Sequence, residues 1–238
     1  MTSSHDTTAV TRLRAVLEGG SESDRLQAAL LAGTHPDPAF VDLLLERCAV
    51  EPDFFVRDML TWALTRHDPA DTVPKLLVEA VSAEPQRCSQ ALHTLSKIGD
   101  PRGWAAITTD VLRDPDEQVV RVAWRAAVRL VPAGEEAALA AELCGQLGRG
   151  DRWLQRSLSQ PLVELGEVAL PLLHERTRHA DPAVRTHALA TERLLLHPED
   201  GFDLALAEAE RVVALAGAPL DEVEVEVEAG AEVEDADR

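Results

Sequence analysis

Arg121, Arg125 and Arg129 recur every fourth residue within "VVRVAWRAAVRLV". In a helix that spacing lines three guanidinium groups along one face. Each guanidinium is permanently charged and carries several N–H donors, so the chemistry expected of such a row is capture of carboxylate or phosphate. Related segments extend it. Laying "FVRDMLTWAL" on "RCSQALHTLS" and then on "VVRVAWRAAV", at one constant step, sets Lys97 beside Arg129 and His93 beside Arg125. Equivalent places in neighbouring segments add Arg57, Arg156 and Arg185. Trp62 aligns with Thr94 and Ala126, which need not be large, and is a candidate groove wall near Arg57, Asp58 and His93. Together, Arg57, Trp62, His93, Lys97, Arg121, Arg125, Arg129, Arg156 and Arg185 form the expected binding face. The competing expectation is a solvated face whose arginines pair with Asp and Glu of adjacent segments.

Other chemistry has less support. The eight histidines are scattered, and His174 and His179, five residues apart, do not share a helix face well. No HExxH and no Gly-rich phosphate loop is present. The segments "LSQ" and "THA" offer hydroxyls, with no base placed beside them by the sequence. Cys48, Cys88 and Cys144 lie far apart without a CxxC, which disfavours a disulfide scaffold or a thiolate zinc site and fits a reducing cytoplasm. No catalytic residue, metal site or cofactor is therefore expected.

The elements that must carry these residues are short helices. Ala and Leu dominate the apolar residues, Tyr is absent and Phe occurs four times, a composition that favours helix over sheet. Helical periodicity begins near Thr8 and runs through about thirteen segments, including "SESDRLQAALLAG", "DFFVRDMLTWALTRH", "GWAAITTDVLR" and "DRWLQRSLSQPLVELG". DP, EP, GD and GRGD separate them, all strong turn and cap signals. Pro161 predicts a kink or break in the segment that carries it. Recurrence at a spacing of about 29–35 residues predicts an all-α chain, an α-solenoid of two-helix repeats stacked into one continuous core. Leu60, Leu92 and Trp124 share one place in that register, so Trp124 is expected in the core.

Charge narrows the choice of partner. The formal net charge of the chain is −19. In the terminal stretch "DEVEVEVEAGAEVEDADR", from Asp221 onward, nine acids against one Arg give −8 and leave −11 for the remainder. An acidic body repels nucleic acid and anionic membranes at long range. The beginning has no basic segment followed by an apolar run, and no apolar stretch is long enough to span a bilayer, so neither a signal peptide nor a membrane span is expected.

The segments "EPDFFVRDMLTWAL", "DPDEQVVRVAWRAAVRL" and "ADPAVRTHALATERL" resemble HEAT repeats, especially the short bacterial kind. In that family an Asp-Pro turn precedes a second helix opened by a Val-Arg pair, matched here by Val56-Arg57, Val120-Arg121 and Val184-Arg185. The resemblance implies that second helices line a concave face, and that the chain is a scaffold or adaptor binding an acidic peptide or protein. A minority of such proteins are enzymes, which implies the alternative of a DNA glycosylase for alkylated bases or a lyase-like activity. On this reading residues 1–7 are a disordered N-terminus and 8–50 degenerate leading helices. Residues 51–217 form the array with a C-terminal capping helix, and 218–238 are an acidic disordered tail, solubilising or docked in the arginine-lined groove.

Overall fold

A computed structural model describes residues 3–216, with side chains from residue 8 onward. The acidic tail and the first two residues lie outside the described part. No strand occurs among the described residues. The first helix, α1, spans Ser3–Gly19 and so begins before the expected Thr8. It is followed by α2 (Glu22–Thr34), α3 (Val41–Val50), α4 (Phe54–Arg66), α5 (Pro69–Glu79) and α6 (Pro85–Ile98). Next come α7 (Thr109–Leu112), α8 (Glu117–Leu130), α9 (Glu136–Cys144), α10 (Arg152–Leu165), α11 (Leu170–Arg176), α12 (Pro182–Leu196) and α13 (Gly201–Ala216).

Aspartate side chains start many of these helices by accepting orphan backbone N–H groups. Asp53 accepts from Val56, Asp116 from Gln118 and Val119, Asp151 from Leu154 and Asp181 from Ala183. Ser21 and Asp24 form a reciprocal capping box at α2. Two expectations need correction. "GWAAITTDVLR" is not one helix: Pro101–Ala106 is a 3-10 turn, and Thr108 then caps a separate short α7 by accepting from Val111. Of the kink or break expected at Pro161, the break does not occur: α10 continues to Leu165 with the proline buried, as Leu158 and Leu162 are.

The helices pack in adjoining pairs, α1 with α2, α3 with α4, α5 with α6, α7 with α8, α9 with α10 and α11 with α12. Even-numbered helices contact one another in succession from α2 to α12, and α13 closes against α12. One apolar cluster runs from Leu17 to Ala188, and a smaller one joins Ala190 of α12 to Phe202, Leu206 and Ala209 of α13. Leu60, Leu92 and Trp124 all have 0% exposure, as their shared register requires. The Trp124 indole N–H donates to the Leu112 carbonyl at 2.9 Å, satisfying its buried polar atom and tying α8 to α7.

A charged knot joins the second pair to the first. Glu51 has no exposed side-chain surface, and Arg25 and Arg47 lie over it at 2.9 and 2.6 Å. Burial opposes its charge, but hydrogen bonds from Arg25, the Asp53 amide and Arg47 outweigh that and hold its carboxyl below the usual range.

Candidate functional site

Helices α6 and α8 lie side by side, and each contributes residues one turn apart. His93 and Lys97 come from α6, Arg125 and Arg129 from α8. With Ser96, Val122 and Glu164 of α10 they line a surface hollow of about 230 Å³. Shared register explains the meeting, because residues at equivalent places on neighbouring helices face the same side. Four basic side chains thus share one hollow with a single carboxylate. That carboxylate is a weak partner: Arg129 Nε lies 3.6 Å from Glu164 Oε2, with the two side chains 67% and 45% exposed.

The remaining groups are poorly compensated. Among the described residues Lys97 and Arg125 have no carboxylate within ion-pair distance. Arg125 Nε donates to the Arg121 carbonyl, and Arg121 Nε to that of Glu117, both at 3.2 Å, so these chains lie back along their own helix. Desolvation, and then Arg121, hold the Arg125 guanidinium below its ordinary value, although the residue as a whole is exposed. Desolvation, then Lys97 and Arg125, likewise lower His93, against an opposing pull from Asp58. The hollow therefore sets the cations of Lys97, Arg125 and Arg129 around a histidine whose protonated form burial and two of these neighbours disfavour.

Other members of the expected face lie elsewhere. Arg57 Nη1 donates to the Glu51 and Pro52 carbonyls at 2.7 and 2.6 Å, and Arg185 Nη1 to those of His179 and Ala180 at 2.8 Å. Each arginine is the fourth residue past its capping aspartate, Asp53 or Asp181, and reaches back to hold the preceding loop. Both tether the loop before their helix, and neither lines the hollow between α6 and α8. Arg25, fourth past Ser21, does the same to Gly20. Arg121 and Arg156 are fifth past Asp116 and Asp151, turned by about 100°. Counting from the caps would have separated the two classes in the sequence. Trp62 packs over Gly33, where an added Cβ would lie 2.4 Å from its ring, and no tryptophan lines the cationic hollow.

Arg156 lines a neighbouring hollow of about 270 Å³ between α10, α12 and α13, which also reaches Glu164. Beneath it lies a serine–histidine contact that the sequence did not announce. Ser159 of "LSQ" and His187 of "THA", both with 0% exposure, approach to 3.0 Å. Proton bookkeeping decides their role. The Gly148 amide donates to His187 Nδ1 at 3.0 Å, so the ring proton sits on Nε2, facing Ser159 Oγ and the Gln155 carbonyl. Thr191 Oγ1 donates to the His187 carbonyl, so Ser159 donates to Thr191. The histidine is then a donor toward Ser159, the wrong direction for a general base. Gly148 fits this arrangement twice, with φ of 81° and a would-be Cβ only 2.9 Å from the Val184 nitrogen.

The three thiols offer no nucleophile. All are buried and free, and burial pushes Cys48 up to about 12 and Cys88 and Cys144 up to about 11. Among the described residues no group of three His, Cys, Asp or Glu could hold a metal ion, and no helix is long and apolar enough to cross a membrane. No family model matches the chain, and no curated protein matches it significantly.

Proposed function

We propose that the chain is an α-solenoid of HEAT-like two-helix repeats that binds an acidic peptide or protein segment on the face formed by α6 and α8. The observation that carries this reading is the convergence of His93, Lys97, Arg125 and Arg129 on one hollow whose lining holds only Glu164 for compensation. An adaptor needs a surface with unmet charge and no reacting groups, and that is what these side chains supply. The acidic body disfavours a polynucleotide ligand, whose affinity depends on many phosphate contacts. The free, buried thiols fit a reducing compartment such as the cytoplasm.

The test is direct binding of a dye-labelled, glutamate-rich peptide, followed by fluorescence anisotropy. Charge reversal at Lys97, Arg125 and Arg129 together weakens binding by at least about tenfold, because three contacts turn repulsive. Glu164→Gln strengthens it, by about twofold to fivefold, by removing the competing carboxylate. Equal affinity in the wild type and the triple reversal would place the ligand elsewhere.

A further inference from the structure

A second hollow adjoins the cationic one at Glu164. The same residue also lines the second hollow, whose walls include Val163, Leu194 and Phe202, with Arg156 and Gln160. This second hollow differs in chemistry from the first, mixing apolar walls with polar ones. At about 270 Å³ it lies just below the usual size for a whole small-molecule ligand and suits a single large side chain. Arg156 has no carboxylate within ion-pair distance among the described residues, so the positive charge continues into it.

We infer that the two hollows act as one bipartite site for a peptide that places an acidic cluster over His93, Lys97, Arg125 and Arg129 and a leucine- or phenylalanine-sized side chain between Val163, Leu194 and Phe202. This rests on the acidic-ligand reading and adds the second anchor to it. Two observations support the pairing: the shared residue Glu164, which sets the two hollows side by side, and the unmet charge on both sides of it. The geometry also sets a spacing. The first hollow lies between α6 and α8, the second beyond α10, and packed helices sit about 8–10 Å apart. The anchors are then separated by roughly 10–20 Å, which an extended peptide covers in about three to six residues. Glu164, between them, is placed to reject a second acid in the linking stretch.

The experiment uses the full chain and two kinds of synthetic peptide. One carries a glutamate cluster and otherwise Gly and Ser. The others add one leucine at two, four, six or eight residues from the cluster. A leucine at the fitting distance tightens binding about tenfold over the acid-only peptide, the effect of burying one aliphatic side chain. Val163→Trp fills the second hollow, abolishes that gain and leaves acid-only binding in place. Gln160→Trp, at an exposed position, serves as an independent obstruction should the first variant misfold, which circular dichroism reports. If the acid-only peptide binds and leucine adds nothing at any distance, the second anchor is refuted while the adaptor reading stands. A gain that survives both obstructing variants also refutes it. If the acid-only peptide fails to bind the wild type, the acidic-ligand reading fails, and the bipartite site with it.

Discussion

A neutral imidazole sealed inside the protein makes folding depend on pH. Desolvation pushes His187 down to about 4, partly offset by its bond to the Gln155 carbonyl, whereas an exposed histidine titrates near 6.5. The folded state therefore binds fewer protons than the unfolded chain between those two values. The stability owed to His187 is fully present above about pH 6.5 and is lost as pH falls toward 4. Between pH 7 and pH 5 the loss is roughly 2 kcal/mol, read from urea midpoints. His187→Gln removes the titrating ring, so its pH 7-to-5 slope is flatter than that of the wild type, at the cost of lower stability at pH 7 from the disturbed network. An equally steep slope in the variant would assign the acid sensitivity to other groups. Glu51 does not confound this window, because its lowered carboxyl loses its contribution only at more acid pH.

Helix starts set the register that brings side chains together, so substitutions there act on whole elements. Asp116 accepts from two orphan amides at the start of α8, at 2.8 and 3.2 Å. Asp116→Ala costs about 1 kcal/mol in urea unfolding, whereas Asp58→Ala, at an exposed position inside α4, costs less than about 0.5 kcal/mol. Comparable losses at both sites would mean that the cap contributes little. The same register explains what was legible beforehand. The constant step between segments placed Leu60, Leu92 and Trp124 together, and with them His93 beside Arg125 and Lys97 beside Arg129. The same step grouped Arg57 and Arg185 with Arg121 and Arg156, but it says nothing of distance from the capping residue, and the fourth-place Arg57 and Arg185 reach back to the preceding loops. The split at Thr108 was hidden because one polar cap within an apolar run resembles an ordinary helical threonine. The Ser159–His187–Thr191 network was unreadable for another reason. Ser159 of α10 meets His187 and Thr191 of α12 only once the two helices pack, with the Gly148 amide supplying the deciding proton.

At the scale of the whole molecule, a small basic hollow sits in a body of opposite sign. The chain carries −19 in total, and −11 once the −8 of the stretch from Asp221 onward is set aside, so an acidic peptide of the proposed kind meets repulsion at long range. Repulsion acts over the screening length, which shrinks from about 30 Å at 0.01 M salt to about 8 Å at 0.15 M. Contacts inside the hollow act at a few ångströms. Added salt is thus expected to speed the arrival of a glutamate-rich peptide and also to speed its departure, as stopped-flow mixing would resolve. Slower arrival at higher salt would mean that the hollow, and not the body, governs the approach. The single weakly bound carboxylate at Glu164 gains a kinetic meaning in this setting. Arg129 is held by a pair loose enough to open quickly, so on the proposed acidic-peptide reading capture becomes a hand-over between two carboxylates and not the desolvation of a bare guanidinium.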